Sequence, residues 1–390
     1  MDPFVREKDQ KLLAWVGELA DQIAPIGVQA DRDGQFASKQ IEILQQAGYT
    51  ALTVPKEFGG HGATLYQMLL AQECLAEGDP SSALVLGWHL GITLSLHDTK
   101  AWPDELYADL CRKAVNGKAL VNSCASEPIT GSPSRGGRPS TTATPVEGGY
   151  RITGKKTWST GSQMLSHIMV TAYIKDLDRI GEFLVLAGSP GLSIDETWDS
   201  IAMRGTGSHT LVLQDVFVPT ERALDIVAVG QRTKRSSDGG GWMLHIPATY
   251  LGIANAARKY AINYAVTYAP NSLDKPISSV PHVRDKIGRM EVLRQTARTL
   301  LYDTARRYEE AQPDVRMQMR PDLGLAKYVA TNAAVQIVDL AMRIVGGNSL
   351  LQTTPLERYY RDVRAGLHNP PMDDNTLHQL TERAIREAEK

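Results

Sequence analysis

The chain has 390 residues, with 44 acidic and 42 basic side chains and a formal net charge of −2 at pH 7. This length exceeds one ordinary core, so two or three packed domains are expected. A charge so close to zero creates no field that would attract nucleic acid or an anionic membrane, which argues against either as a partner.

The cysteine pattern and the N-terminal sequence indicate a reducing compartment. Cys74, Cys111 and Cys124 are widely separated and form no CxxC pair. Residues 1–9 are polar and mixed in charge, without the apolar core of a signal peptide. No apolar run has the length of a membrane span; even Ala83–Leu94 is short. We expect a cytoplasmic protein with no membrane partner.

Helical periodicity covers the first part of the chain, from residue 7 to about 118. Apolar residues recur at spacings of three and four over 12–23, which predicts a helix with one apolar face. Pro55–Gly62 interrupts the pattern as a loop. Asp79–Ser82 then has the composition of a helix cap, and it predicts another helix over 83–96.

The period changes to two near residue 120, which predicts a compact antiparallel β-domain ending at about Pro219. A strand that carries Tyr150, followed by a turn at Gly154, is expected to deliver Trp158 and Thr160 to an edge of the sheet.

A polar, glycine-rich connection follows, and the chain then returns to helical periodicity. The basic run Arg232–Arg235 in this connection is interpreted as a solvated linker, with contact to a CoA phosphate as the alternative. Alanine-rich faces over 326–344 favour close helix packing in a bundle. The predicted domains are 1–118 (helical), 119–228 (β) and 242–390 (helical bundle), which gives an α+β fold class.

Five motifs occur in an order that resembles the acyl-CoA dehydrogenase superfamily. Each motif is weak alone, but together they cover nearly the whole chain. The resemblance implies the acyl-CoA dehydrogenase fold, with a C-terminal four-helix bundle and an oligomer, a dimer or a homotetramer. The motifs are Pro55–Gly62, Cys124–Ser132, Trp158–Gly161, Met203–Pro219 and Gly346–Asp362.

The resemblance also implies a flavin, FAD or FMN, on the middle domain. An isoalloxazine ring needs hydrogen bonds at its pyrimidine edge and at N5, together with an apolar wall. By the family's pattern, Ala125 and Ser126 would meet the pyrimidine edge, Trp158 would form one wall, and Thr160 would lie near N5.

The position of the family's catalytic base holds no carboxylate in this chain. The commonest base is a Glu about eight residues after an Arg-Asp pair, and that count leads here to Pro370. A second position used by some relatives falls near Trp242, where no carboxylate stands. Asp373 or Asp374 can substitute for the base if the loop shifts by a turn.

The nucleotide-binding motifs also depart from the family's pattern. Arg343 replaces a Gln before Gly346 and Gly347, and the arginine usual further upstream is lost. A guanidinium near a helix end suits a terminal phosphate. This favours FMN slightly, although Arg343 can equally replace the lost arginine in holding FAD.

With these departures the chain resembles one branch of the superfamily more closely, the reduced-flavin-dependent monooxygenases, such as the dibenzothiophene and amino-sugar oxygenases. That branch lacks the Glu and commonly has a His-Asn/Asp-Pro run, as at His368–Pro370. His368, with His89 as a second candidate, would stabilise peroxide oxygens in a dry pocket. A lone histidine on an apolar helix, as His89 is, more often has a structural role in the core, and this alternative is open for His89. The remaining expected pocket residues are Asn122, Ser132, Trp242 and His245.

Three functions therefore remain open. The leading hypothesis is a flavin-dependent monooxygenase, with a separate flavin reductase or electron-transfer protein as partner and a small-molecule substrate. The second is an FAD-dependent acyl-CoA dehydrogenase that uses Asp373 or Asp374, and the third is a non-catalytic flavin or acyl-CoA binding protein. His97 and Asp98 are adjacent, but no second histidine stands at ligand spacing, so no metal site is expected.

Overall fold

Helices form both ends of the chain and strands form its middle, in a computed structural model that describes residues 2–130 and 137–389. The α+β fold class predicted from the sequence is confirmed. The N-terminal helices end five residues before the first strand begins. They are α1 (Gln10–Asp33), α2 (Ser38–Gln46), α3 (Leu65–Gly78), α4 (Pro80–Thr99) and α5 (Asp104–Val115).

Helix α4 is the central helix of the N-terminal part. Asp79 caps it as predicted, since its carboxylate accepts a hydrogen bond from the Ser82 N–H at 3.1 Å, and Pro80 occupies the first turn. Most residues of α4 are buried on every side, as expected of a helix without a polar face. It packs against helices of both ends of the chain and against the first strand.

The middle of the chain forms one eight-stranded sheet, in the order β6-β7-β3-β2-β4-β5-β8, with β1 paired to β4. Most pairs are antiparallel, as predicted, but β1 lies parallel to β4. The long connection after β1 allows the chain to return in the same direction. The strands are β1 (Val121–Cys124), β2 (Thr142–Val146), β3 (Gly149–Lys156), β4 (His167–Ile174), β5 (Arg179–Leu186), β6 (Leu192–Asp195), β7 (Thr210–Pro219) and β8 (Ala223–Ala228).

The prediction of a turn at Gly154 was wrong. Strand β3 runs through Gly154 to Lys156, and its register with β7 shifts between Ile152 and Gly154, which marks a β-bulge. A Cβ at Gly154 would lie 2.4 Å from the Thr141 hydroxyl oxygen. The glycine therefore permits a close approach of two segments, which is its other common use inside a strand.

The C-terminal part is a helical bundle in which α9 is the most central helix. By length and mean hydropathy, the segment Arg320–Leu350 could cross a membrane, which the sequence analysis did not anticipate. In the bundle it packs against α6, α7, α10 and α11, and half of its most apolar window is buried, which is typical of a core helix. The helices are α6 (His245–Thr267), α7 (Pro281–Glu310), α8 (Pro313–Gln318), α9 (Arg320–Val345), α10 (Leu356–Arg364) and α11 (Asp373–Ala388).

A buried ionic network joins the three parts of the chain. The Arg358 guanidinium on α10 contacts the Asp79 carboxylate at 2.6 Å and the Asp362 carboxylate at 3.2 Å. Asp362 in turn accepts a hydrogen bond from the Met203 N–H, at 2.5 Å, in the β-domain. Because Arg358 is only 5% exposed, loss of a partner would leave a buried charge uncompensated. The network fixes α10 against the sheet.

Candidate functional site

The two sequence runs predicted to hold the flavin ring lie side by side. The Ser126 carbonyl, just after β1, accepts a hydrogen bond from the Thr157 N–H at 2.9 Å. The Asn122 side-chain amide donates to the Thr160 carbonyl, also at 2.9 Å. The end of β1 and the loop after β3 therefore form one surface.

A buried ion pair fixes this surface from behind. The Lys156 ammonium lies 2.5 Å from the Glu127 carboxylate, and the two side chains are 0% and 1% exposed. Glu127 also accepts hydrogen bonds from the Ser140 N–H, at 2.5 Å, and the Thr141 N–H, at 3.1 Å. Burial alone would raise the pKa of Glu127, but the hydrogen bonds from Lys156, Ser140 and Thr141 outweigh it and lower this pKa from 4.5 to about 2.

Trp158 presents its ring to the outside of this surface. Its side chain is 68% exposed, and its backbone has φ of 56°, in the left-handed region that few residues other than glycine adopt. The ring rests edge-on against Trp198, at 5.3 Å between centroids. An exposed tryptophan held in a strained backbone conformation is typical of a binding surface.

Thr160 adds a hydroxyl group two residues further on. It is half-buried, and its Oγ1 lies 3.0 Å from the Ser208 hydroxyl, which lies 2.9 Å from the Thr206 hydroxyl. Half-buried Ala125 and Ser126 complete the surface. An aromatic wall, a hydroxyl and adjacent loop backbone fit the apolar faces and polar edge of an isoalloxazine ring.

His89 does not contribute a free imidazole to this site. Its Nδ1 accepts a hydrogen bond from the Val121 N–H at 3.2 Å, and its Nε2 donates to the Thr50 carbonyl at 3.0 Å. Burial lowers the pKa of His89 to about 4, so the ring is neutral near pH 7. Both nitrogens hold backbone groups, and neither is available to the peroxide oxygens that the sequence analysis assigned to them.

His368 lies on a loop that is held against α6. The residue is exposed, at the end of the short helical turn after α10, and its imidazole makes no hydrogen bond within the described residues. The next residue, Asn369, accepts a hydrogen bond from the Tyr250 hydroxyl at 2.7 Å. A Cβ at Gly366 would lie 2.8 Å from the Tyr250 ring, so backbone and ring are in close contact. The loop that carries His368 is therefore fixed at two points.

Asp373, the alternative base, takes part in a structural ion pair. Its carboxylate accepts from the Lys327 ammonium at 3.1 Å and from the Asn332 amide at 2.9 Å. Burial lowers the pKa of Lys327, and Asp373 opposes this effect. Asp374 is exposed and accepts a hydrogen bond from the Asn375 N–H at 2.9 Å. Both carboxylates thus lie in the first turn of α11, where their negative charge stabilises the helix by interacting with the positive end of its dipole.

Trp242 and His245, two expected substrate-binding residues, fill the space between α4 and α6. With Trp88 they form an aromatic cluster: Trp88 lies 5.7 Å from Trp242 and 5.0 Å from His245, between ring centroids. Glycines on α4 make room for it, since a Cβ at Gly87 would lie 2.5 Å from His245 and one at Gly91 would lie 2.9 Å from Trp242. Burial lowers the pKa of His245 to about 4.

Arg235 is a residue of the site that the sequence analysis missed. The run 232–235 was interpreted as a solvated linker, but the Arg235 guanidinium contacts the Glu182 carboxylate at 2.9 Å and the Ser123 hydroxyl at 3.2 Å. It also lies over the Trp242 ring, at 5.9 Å from the centroid. Arg235 thereby connects strands β1 and β5 to the aromatic cluster. Its partners are distant in sequence, so the local sequence does not indicate these contacts.

Arg343, Gly346 and Gly347 are exposed at the C-terminal end of α9. Their neighbourhood is marked by the Asn348 amide, which donates to the Tyr264 hydroxyl at 3.3 Å. Tyr264 and His245 are separated along α6 by about 28 Å, at 1.5 Å per residue. Arg343 and the two glycines therefore lie at the opposite end of α6 from the aromatic cluster of Trp88, Trp242 and His245.

The remaining expectations concern the loop after β1 and the neighbouring cleft. Ser132 lies outside the described residues. A cleft of about 460 Å³ opens beside Trp242, between the end of α4 and α7. Its lining includes five charged side chains, those of Lys56, Asp98, Asp238, Glu309 and Arg316. Within residues 2–130 and 137–389, no group of three or more His, Cys, Asp or Glu side chains could hold a metal ion.

Family models match most of the chain. The N-terminal, middle and C-terminal domains of acyl-CoA dehydrogenase match residues 6–100, 122–216 and 244–367. The chain is 45% identical over 386 residues to the putative acyl-CoA dehydrogenase YdbM of Bacillus subtilis (strain 168), covering 99% of this chain and 100% of that protein.

Two solved structures show the same fold from both branches of the superfamily. Butyryl-CoA dehydrogenase from Megasphaera elsdenii has a TM-score of 0.86 at 24% identity, over 99% of this chain and 100% of that one. TdsC from Paenibacillus sp. A11-2, a dibenzothiophene monooxygenase described with FMN and indole, has a TM-score of 0.84 at 23% identity, over 97% and 98%. The predicted resemblance is thus confirmed, and the chain belongs to the acyl-CoA dehydrogenase superfamily of flavin-dependent oxidoreductases.

Proposed function

We propose that the protein is a flavin-dependent monooxygenase that takes up reduced flavin, preferably FMN, and dioxygen. The observation that carries the proposal is that no free carboxylate stands at the expected base position or among the acids that the structure describes near the ring surface, which is the surface formed by Ala125, Ser126, Trp158 and Thr160. Pro370 occupies the position of the dehydrogenase base, and the nearby acids are engaged in ion pairs: Glu127 with Lys156, Glu182 with Arg235. A dehydrogenase requires a carboxylate within hydrogen-bond reach of the substrate's α-proton.

The residues on the ring surface have separate roles in this proposal. Bound reduced flavin would supply the two electrons for oxygen activation. Trp158 covers one face of the ring and excludes water from it. Thr160 meets the ring edge near N5, and the loop backbone at Ala125 and Ser126 meets the pyrimidine edge. None of these groups needs to remove a proton from carbon.

His368 is the proposed proton donor to the oxygen atoms. Its imidazole makes no hydrogen bond within the part of the chain that the structure describes, unlike that of His89. The contact between Asn369 and Tyr250, at 2.7 Å, fixes the preceding backbone and so limits where the ring can move. An imidazole with a free N–H on a loop that is anchored in this way suits general acid chemistry.

The test is to supply reduced FMN and oxygen and to measure hydrogen peroxide release against product formation with candidate substrates such as aromatic heterocycles. We expect His368→Ala to bind flavin normally but to release more peroxide per electron pair. His378→Ala, which changes another exposed histidine on α11, is the matched control. Unchanged coupling of oxygen to product in His368→Ala would contradict the role assigned to His368.

The second candidate is an FAD-dependent acyl-CoA dehydrogenase, and the relative that supports it is YdbM, a putative acyl-CoA dehydrogenase with 45% identity over nearly the whole chain. Its base would be Asp373 or Asp374. Anaerobic titration with acyl-CoAs of several chain lengths separates the two candidates, because bleaching of oxidised flavin would establish a dehydrogenase. Full α-proton exchange of a bound acyl-CoA in the Asp373→Asn/Asp374→Asn variant would exclude both aspartates as the base.

We also propose a homo-oligomer, a cytoplasmic location and a separate flavin reductase as partner. The oligomer follows the family's pattern, and Arg343, exposed at the end of α9, would then hold a flavin phosphate bound to a second chain. Free Cys74, Cys111 and Cys124 support a reducing compartment. Equilibrium sedimentation with and without flavin tests the oligomer, and a monomer at micromolar concentration would contradict it.

A further inference from the structure

A chain of three hydroxyl groups leads from the interior of the β-domain to the ring surface. The Thr206 hydroxyl donates to the Met203 carbonyl at 2.9 Å and lies 2.9 Å from the Ser208 hydroxyl. The Ser208 hydroxyl lies 3.0 Å from that of Thr160. Thr206 and Ser208 are 1% and 6% exposed, so water has little access to the inner two of these hydroxyl groups.

Only one arrangement of the three protons satisfies all three contacts. A carbonyl oxygen accepts but cannot donate, and each hydroxyl has a single proton. The Thr206 proton therefore points to the Met203 carbonyl, and the Ser208 proton points to the Thr206 oxygen. The Thr160 proton must then point to Ser208, which leaves only the lone pairs of Thr160 Oγ1 for a ligand.

The inner end of this hydroxyl chain is held in place by the backbone. Met203 has φ of 53°, and its N–H donates to the Asp362 carboxylate at 2.5 Å. Its carbonyl also accepts the Thr206 N–H at 3.0 Å. The Met203 N–H is thus held by Asp362, which is 0% exposed and bound to Arg358, and its carbonyl is held by the Thr206 N–H and hydroxyl.

We propose that Thr160 is a hydrogen-bond acceptor toward the flavin and that it thereby selects the reduced form. The proposal rests on the flavin site proposed above. Oxidised flavin has an unprotonated N5 that accepts a hydrogen bond, whereas reduced flavin carries N5–H, which donates one. An acceptor at Thr160 matches reduced flavin and leaves oxidised N5 facing a lone pair, an unfavourable contact in a site with little water. The preference is set by Met203, Thr206 and Ser208, which need not touch the ring.

The test measures the dissociation constants of oxidised and reduced FMN anaerobically, by tryptophan fluorescence, without turnover. In Ser208→Ala the Thr160 proton loses its acceptor and becomes free to point at oxidised N5. We expect the preference for reduced FMN to fall by about tenfold, the change that corresponds to one hydrogen bond. Thr206→Val should give the same result by a different route, because Ser208 would then donate to Thr160.

Two controls separate this effect from general damage to the site. Ser162→Ala removes a neighbouring buried hydroxyl that donates to the Gly207 carbonyl at 2.7 Å and is not one of the three linked hydroxyl groups. This variant should leave the ratio of the dissociation constants of oxidised and reduced FMN unchanged. Thr160→Val should reduce the affinity for reduced FMN. An unchanged ratio in both Ser208→Ala and Thr206→Val, or an equal change in Ser162→Ala, would overturn the proposal while leaving the flavin site intact. Failure of the unaltered protein to bind FMN in either state would instead refute the flavin site itself.

Discussion

Breaking the ion pair between Glu127 and Lys156 should loosen the ring surface and destabilise the fold. The pair lies behind Ser126 and joins the two runs that form the surface. In Glu127→Gln the Lys156 ammonium would remain buried with only neutral side-chain partners, the new amide oxygen and the Thr171 hydroxyl at 3.4 Å. Removing one partner of a buried pair typically costs about 3–5 kcal/mol, because the other charge is left uncompensated.

The lowered pKa of Glu127, to which Lys156, Ser140 and Thr141 all contribute, indicates a stabilisation of similar size. Its shift from 4.5 to about 2 corresponds to about 3 kcal/mol, at 1.36 kcal/mol per unit. The group is a carboxyl with a depressed pKa, so its contribution is fully present above pH 4.5 and is lost as the pH falls through about 2. Both routes therefore predict a loss of about 3 kcal/mol at pH 7 in Glu127→Gln.

The variant should also have a different dependence on pH. Burial lowers the pKa of Lys156, and the ion pair with Glu127 opposes this effect. Without Glu127 that pKa falls further below its unfolded value, so the unfolded state binds more protons as the pH approaches the ordinary lysine pKa of about 10 from below. The stability of Glu127→Gln should therefore rise with pH over this range, whereas that of the unaltered protein should change less.

Urea denaturation at pH 5, 7 and 9, with flavin affinity measured in parallel, tests these expectations. The double variant Glu127→Gln/Lys156→Met removes both charges and should recover part of the lost stability. Asp303→Asn is the control, because its ion pairs on α7 are exposed and should contribute less than about 1 kcal/mol. A loss below 1 kcal/mol in Glu127→Gln, or a stability independent of pH, would refute the reasoning.

Three further predictions concern the aromatic residues and the buried histidines. Trp158→Ala should weaken flavin binding at least tenfold with little change in the urea midpoint, since the side chain is 68% exposed; an equal loss of stability would indicate a core role. Gly91→Ala should destabilise the protein by about 1–3 kcal/mol, because its Cβ would lie 2.9 Å from Trp242; an unchanged melting temperature would contradict that packing. His89 and His245, with pKa values of about 4, stay neutral in the fold while the unfolded chain takes up protons below pH 6.5, so stability at pH 5 should be lower by about 2 kcal/mol per histidine. Denaturation curves at pH 6.5 and 5 check this, and equal midpoints would show that the rings are protonated in the fold.

The proximity of the two predicted flavin-binding runs could be inferred from the sequence because each run is a short contiguous motif, whereas their contact with flavin stays a prediction. Ser126 and Trp158 each follow a strand directly, and the strand ends bring them together. The role of His89 was not predictable, because its partners Thr50 and Val121 lie 39 and 32 residues away. The ion pair of Arg235 likewise depends on tertiary contacts that a polar, glycine-rich sequence does not indicate.

The two sides of the site depart from the family's pattern to different extents, and this bears on the reaction. The β-domain side keeps the flavin motifs and stabilises them with the pair of Glu127 and Lys156. The helical side supplies the base in a dehydrogenase, and here it has Pro370 and a space between α4 and α6 filled by Trp242. Electron transfer depends on the first side and removal of the α-proton on the second. A chain can therefore lose the base and still bind and use flavin, which is why flavin reduction by an acyl-CoA, rather than flavin binding or the family name, decides between the two candidate reactions.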